Sequence, residues 1–387
     1  MGVVYHVEDR LTGQDIALKR VLTQDEGGAI ISAEHNDTIR LALAREFQML
    51  ASLRHPNIIS VLDYGFTADG TAQMPYLTMT LLQNARDILT AGRDQNPNGK
   101  IHLLIQTLQA LDYLHRRGII HCDIKPNNLM VVGDQLRVVD FGLSTHRHQE
   151  REETAGTLSY IAPEVLSGNL VTHSADLYAV GVIAYELFAG HHPFDTGDIS
   201  TLITDVLSTT PDVTKLDVDE NIAAVFARLL MKSSDDRYAN ALETIYALCE
   251  AAQIDPPGES AAIRESYLQS AQFVGRDDEM ATLMGALATT MTGNGTGWLI
   301  GGESGVGKTR LIEELRAYAM VQGAVVVRGQ AISESTAPYH LWRDVVRWLC
   351  LSVTLSDIEA QVLKPLVPDI ARLVGYADND PPDLDAD

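Results

Sequence analysis

The chain has 387 residues, 45% of them hydrophobic and 21% charged, an ordinary composition for soluble globular structure with room for two or three domains. Its formal net charge of −23 speaks against a nucleic-acid partner, which demands a basic surface, and suits a soluble, self-repelling chain. Cys122, Cys249 and Cys350 stand far apart without metal-ligand spacing, which predicts free thiols in a reducing, cytoplasmic compartment. No apolar run is long enough to span a bilayer and the N-terminus lacks a basic-then-apolar leader, so no membrane partner is expected.

In chain order, residues 1–20 alternate as a strand pair, Val3–Val7 and Ile16–Lys19, around a turn at Thr12-Gly13-Gln14. After a polar stretch, Asp37 or Thr38 can cap a helix bearing Ile39, Leu43, Phe47 and Leu50, which His55-Pro56-Asn57 stops. Strands near Ile58–Tyr64 and Tyr76–Leu82 complete a small sheet. Beyond Asn98-Gly99 the pattern turns helical: Ile101–Arg117, the almost uncharged and hence buried Ala175–Ala189, Ile222–Lys232 and Ala241–Gln253. Asp255-Pro256-Pro257-Gly258 reads as a linker. A new unit follows with an apolar helix, a Gly-rich turn at Gly293–Gly297 and a strand at Trp298–Gly301, and the acidic tail 377–387 reads as disordered.

The chemistry concentrates in His121-Cys122-Asp123-Ile124-Lys125-Pro126-Asn127-Asn128 and Asp140-Phe141-Gly142. Phosphoryl transfer needs a carboxylate at the attacking hydroxyl, a cation at the moving phosphoryl group and oxygen ligands for Mg²⁺, and this run supplies Asp123, Lys125, Asn128 and Asp140 in that order. Asn128 lies five residues after Asp123, and Asp140 ends the strand Leu136–Val139. A lone Asp-Phe-Gly is a weak signal; the ordered set is a specific one.

On these motifs, residues 2 to about 250 resemble a serine/threonine protein kinase domain. The resemblance implies an α+β, bilobal fold that transfers the γ-phosphoryl group of ATP to Ser or Thr of protein substrates with Mg²⁺. It assigns Asp123, Lys125, Lys19 (in Ile16-Ala17-Leu18-Lys19), Glu46 and Thr157 to catalysis, and Asn128 and Asp140 to the metal. Gly2, Val4, Ala17, Lys19, Met79, Leu81 and Leu129 fall to nucleotide contact. It further implies an ion pair between Glu164, in Ala162-Pro163-Glu164, and Arg237, and a backbone-holding role for Asp176.

Three departures stand out. Gly2-Val3-Val4 matches only the end of the Gly-rich nucleotide loop, which points to a start placed too late or to a piece of a longer chain. Cys122 replaces the arginine that reads an activation-loop phosphate, and a redox role for it has no support beside that of a small half-buried thiol. Thr80 follows Met79 where an acidic residue is frequent. His191-His192 has no third ligand residue arranged with it and reads as structural rather than metal-binding.

Gly302-Glu303-Ser304-Gly305-Val306-Gly307-Lys308-Thr309 fits a phosphate-binding P-loop. Loop amides cradle phosphate at a helix N-terminus, Lys308 reaches the β- and γ-phosphates, and Thr309 meets Mg²⁺. With Phe273-Val274-Gly275-Arg276, this stretch resembles the start of AAA-like signalling ATPases, a partial α/β unit without an acid after Val325-Val326-Val327. The expected division is a kinase domain at 1–254 lacking its first strand, a linker at 255–271, a partial P-loop domain at 272–376 with possible regulatory partners, and the tail. The competing reading is a pseudokinase or nucleotide-dependent scaffold.

Overall fold

The computed structural model describes residues 2–21, 53–69, 72–140, 158–258, 275–331 and 339–375. The helix expected from residue 37, residues 141–157, Phe273-Val274 and the tail lie outside them. Two compact units emerge, one from residues 1–22, 64–81 and 280–387, the other from 23–63 and 82–279.

The first unit carries most of a four-stranded sheet, β1 (Gly2–Asp9), β2 (Gln14–Val21), β3 (Val61–Asp69) and β4 (Ala72–Thr80), in the order β1-β2-β4-β3. The first hairpin closes where the Asp9 carboxylate accepts from the Leu11 amide at 2.9 Å and the Thr12 hydroxyl at 2.7 Å. Gly13 follows with φ of 70°, a left-handed geometry that a side chain resists. Antiparallel register pairs Val4 with Lys19, and Ala17 with both His6 and Met79. Directly paired residues share a face, so Val4, Ala17, Lys19 and Met79 lie on one side of the sheet.

The same unit holds most of α8 (Asp277–Met291), and α9 (Lys308–Val321), α10 (Arg343–Ser352), α11 (Asp357–Leu363) and α12 (Ile370–Val374). Cys350, Ala360, Val367, Ile370 and Leu373 form a small core among the last three. Arg347 pairs with Asp369 at 2.6 Å and donates to the Leu11 carbonyl of the hairpin at 2.5 Å. The strand expected at Trp298–Gly301 is not formed. A strand needs a hydrogen-bonded neighbour to be stable, and Val325–Val327 is likewise unpaired. Leu299, 97% exposed, shows the result.

The second unit is mainly helical. Its elements are β5 (Arg86–Asp87), α1 (Ile88–Gly92), α2 (Pro97–Arg116), β6 (Leu129–Val132), β7 (Gln135–Val138), α3 (Pro163–Leu166), α4 (His173–Ala189), α5 (Ile199–Ser208), α6 (Glu220–Leu229) and α7 (Ala241–Ala252). α2 starts earlier than its apolar period suggested. Asn96 caps it by accepting from the Gly99 amide at 2.8 Å, and Pro97 sits in the first turn, where its missing N–H costs nothing. α4 is buried nearly all round, as its lack of charge predicted. Gly181 on α4 permits close helix contact, because a Cβ there would stand 2.8 Å from the Leu229 Cβ.

Two polar anchors hold this unit together. Arg237 is fully buried and forms a two-pronged pair with Glu164, both contacts 2.7 Å, as the sequence implied. His55 and Asn57 fasten their segment to β7: the Asn57 side chain donates to Leu136 O at 2.9 Å, the Val138 amide donates to Asn57 O at 2.8 Å, and the His55 Nδ1 accepts from the Asn57 amide at 3.1 Å.

Burial draws the His55 imidazole down to about 4. An unfolded chain takes up that proton near pH 6.5 whereas the folded one does not, so stability falls as pH drops from about 6.5 towards 4. His121, also held low by burial, adds with the same sign. His55→Asn keeps an acceptor for the Asn57 amide and removes the titration. Between pH 7.5 and 5.5, wild type should lose about 1 kcal/mol more stability than this variant, read from urea midpoints of the full chain at the two pH values.

Candidate active site

The catalytic-loop candidates lie between α2 and β6. The loop hangs on one carboxylate: Asp176, 1% exposed at the start of α4, accepts from the His121 amide at 2.9 Å, the Cys122 amide at 2.8 Å and the His115 Nε2 at 2.8 Å. Burial alone pushes the Asp176 carboxyl up. The bond and charge of His115, with His121 beside it, outweigh burial and hold the carboxyl below its ordinary value. Cys122 takes a left-handed φ of 59°, which costs a residue with a Cβ about 1–2 kcal/mol, and the bond from its amide to Asp176 offsets that cost.

Downstream of that turn the polar groups converge. Lys125 Nζ lies 2.9 and 3.2 Å from the two Asp123 oxygens. The Asn128 amide nitrogen donates to Asp123 O at 2.7 Å and to its carboxylate at 3.1 Å. Pro126–Asn128 forms a single tight helical turn that brings Asn128 back to Asp123. The Val139 amide donates to Asn128 O at 2.9 Å, so Asp140 stands one residue beyond a backbone bond to Asn128. Asp140 is exposed and adopts φ of 56°. Two non-glycine residues with positive φ in one loop system mark a functional constraint. A fully buried His121, whose pKa burial lowers, supports the loop through its Nδ1, which accepts from the Asp123 amide at 3.3 Å.

The donor set suits Mg²⁺. With its nitrogen engaged on Asp123, Asn128 has its side-chain oxygen to offer, and Asp140 brings a carboxylate. Few protein ligands, all hard oxygens, with the rest left to phosphate and water, is the way Mg²⁺ is held in phosphoryl-transfer sites.

Other candidates fall elsewhere. Val4, Ala17, Lys19 and Met79 share one face of the four-stranded sheet, Gly2 pairs with Val21 at the end of β1, and Leu81 follows β4. Leu129, fully buried, opens β6. Glu46 and Thr157 lie outside the described residues. In the P-loop, Gly302, Gly305 and Gly307 all have positive φ, at 156°, 85° and 94°, and α9 begins at Lys308, ahead of Thr309. The Lys308 ammonium turns back on Gly302 O and Glu303 O, both at 2.7 Å.

Sequence reading missed His115, whose partner lies sixty-one positions on; no spacing rule links the two. It also missed Tyr160, which donates to Glu186 at 2.6 Å, and His192, which meets Ser159 O at 3.0 Å. Among the described residues no group of three or more His, Cys, Asp or Glu is arranged to hold a metal ion.

The family model for the protein kinase domain matches residues 1–248. The chain belongs to the protein kinase family. A second model, the AAA ATPase domain, matches residues 272–386. Among curated relatives, a probable serine/threonine-protein kinase of Streptomyces coelicolor is 30% identical over 68% of this chain and 40% of its own length. The serine/threonine-protein kinase PknB of Mycobacterium tuberculosis is 29% identical over 66% of this chain and 42% of its own. PrkC of Bacillus subtilis, likewise a serine/threonine-protein kinase, is 29% identical over 62% and 37%. The chain thus spans about two fifths of the length of the curated relatives it matches. Both domain families are ATP users, and no described helix is long and apolar enough to cross a membrane.

Removing the anchor tests its weight. Asp176→Ala strips the His121 and Cys122 amides and His115 of their acceptor, and each buried donor left unmade costs about 1–3 kcal/mol. The variant should lose roughly 3–5 kcal/mol, seen as a lower urea midpoint for the kinase region, whereas Asp134→Ala, on the exposed turn between β6 and β7, should leave it unchanged.

Proposed function

We propose that this chain is an ATP-dependent serine/threonine protein kinase with an appended nucleotide-binding module. The observation that carries the reading is the convergence of Asp123, Lys125, Asn128 and Asp140 on one loop system, with Lys125 and Asn128 both fixed on the Asp123 carboxylate. In this reading the Asp123 carboxylate orients a substrate Ser or Thr hydroxyl and takes its proton as the bond to phosphorus forms. Lys125, at 2.9 Å from that carboxylate, neutralises charge on the phosphoryl group in transit. Asn128 and Asp140 hold Mg²⁺, which, when bound, draws charge from the triphosphate oxygens. By the family resemblance Lys19 meets the α- and β-phosphates with Glu46 as its orienting partner, and Gly2, Val4, Ala17, Met79, Leu81 and Leu129 are assigned to nucleotide contact. Thr157 steadies Asp123 and Lys125. The serine/threonine preference rests on Lys125, two residues after Asp123, and on the relatives' names.

We divide the chain into a kinase domain at 1–254, a linker at 255–271, a P-loop module at 272–376 and a tail. In the module Gly302, Gly305, Gly307, Lys308 and Thr309 hold a second ATP with its Mg²⁺. Phosphate entry there requires Lys308 to leave its own loop carbonyls, which makes the module a nucleotide-dependent element through which regulatory partners act. Proteins are the substrates; the net charge of −23 disfavours nucleic acid, and Cys122, Cys249 and Cys350, none of them in a disulfide, fit a cytoplasmic setting.

With Mg-ATP, the purified full chain should phosphorylate itself or a generic basic protein. Asp123→Asn and Lys19→Met should each lower phosphate incorporation by about two orders of magnitude or more while leaving the circular dichroism spectrum intact. Equal incorporation by wild type and Asp123→Asn sinks the assignment. Lys308→Ala should leave the transfer rate in vitro within about twofold, since it touches a different nucleotide site.

A further inference from the structure

We propose that His192 is a positioning residue for the protein substrate: it fixes the wall of the cavity into which Asp123 and Lys125 face. The assignment rests on the kinase reading above and adds a residue to it. One cavity has Asp123, Lys125, Tyr160, Ile161 and Ala162 in its lining, together with residues of α4 such as Asp176. A chain that presents its hydroxyl to Asp123 therefore lies against residues 160–162. Their placement is set from the end of α4 and the loop after it.

Two bonds do this. The Tyr160 hydroxyl donates to Glu186 on α4 at 2.6 Å. Burial, then the Glu186 bond, raises the Tyr160 phenol, so it remains a donor. One residue earlier, the Ser159 carbonyl meets His192 Nε2 at 3.0 Å. Nε2 donates to that carbonyl, and Nδ1 stands against the Phe194 backbone, 3.2 Å from its amide and 3.1 Å from its carbonyl. The Tyr160 ring packs edge-on against the imidazole, centroids 5.6 Å apart at 90°. The histidine's own loop is held in turn: Lys232 Nζ sits 4.8 Å over the Phe194 ring and donates to Val206 O at 2.7 Å. His192 thus ties its loop to the backbone of Ser159.

The test is steady-state kinetics of the full chain with Mg-ATP and two protein substrates, casein and histone. His192→Ala should raise KM for the protein substrate about tenfold, the weight of one hydrogen bond, with KM for ATP and kcat within about twofold of wild type. His192→Gln, whose amide nitrogen reaches about as far as Nε2, should restore KM to within about threefold. A general loosening of the fold lowers kcat and disturbs both KM values, so that pattern in the glutamine variant, or an unchanged protein KM in the alanine variant, overturns the proposal. If His192→Ala fails to fold, the glutamine variant decides alone: retention of the wild-type protein KM supports the role, and a tenfold rise overturns it. A wild type that transfers no phosphoryl group to any protein overturns the kinase reading itself, and this assignment with it.

Discussion

The buried Asp176 carboxylate is the constraint on which the catalytic loop depends. Its two oxygens receive three donors, two of them consecutive backbone amides at His121 and Cys122 and the third the His115 ring. The amides impose a conformation as well as a position, since Cys122 must turn left-handed to offer its N–H. Asp123, next in the chain, then has no latitude. Its amide is bound to His121, its carbonyl to Asn128 and its carboxylate to Lys125 and Asn128. A carboxylate that must meet a hydroxyl in one orientation needs this kind of support, because misplacement by about 1 Å costs roughly a hundredfold in rate. Asp176 supplies it from the N-terminal turn of a helix buried on almost every side, so the loop inherits the rigidity of the core.

Two further ties extend that rigidity outward. Glu164 and Arg237 lock the short helix α3 to the loop before α7. A buried pair of this kind contributes little net stability against an apolar replacement, but removal of one partner is costly; its effect is to leave α3 a single position. Asn57 does the same for β7, the strand that delivers Asp140. The site is thus built from short irregular segments, each held by a polar side chain from a regular element, which is how loops carry chemistry on a stable scaffold.

What the sequence made legible follows from where the information is local. The candidate set Asp123, Lys125, Asn128 and Asp140 is compact in sequence, and its residue types have few uses in that order, so the order of residues alone pointed to the protein kinase family that the family model matches. The buried α4 was readable from its lack of charge. The start of α2 was not, because Pro97-Asn98-Gly99 reads as a breaker by composition, whereas a proline in the first turn behind an Asn cap begins a helix. The pairing of His115 with Asp176 and of His192 with Ser159 is set by tertiary packing, which no periodicity records. The strand expected at Trp298–Gly301 fails for the complementary reason: its apolar run is genuine, but a strand is a property of a pair, and no described segment pairs with it.

The two proposed nucleotide sites differ in how their lysines are placed, and the difference bears on how they would work. Lys125 is bound to the carboxylate it serves, 24% exposed beside an Asp123 that is 10% exposed, so charge is already arranged before a substrate arrives. Such preorganisation is what lowers a barrier, since no reorganisation remains for the moment of reaction. Lys308 instead satisfies itself on two carbonyls of its own loop. A triphosphate there must first displace those bonds, and the three glycines with positive φ give the loop the freedom to let them go. In the proposed reading, the first arrangement suits a site that performs chemistry, and the second suits one whose geometry would change with occupancy, so that a nucleotide bound at Lys308 would report its presence by a rearrangement.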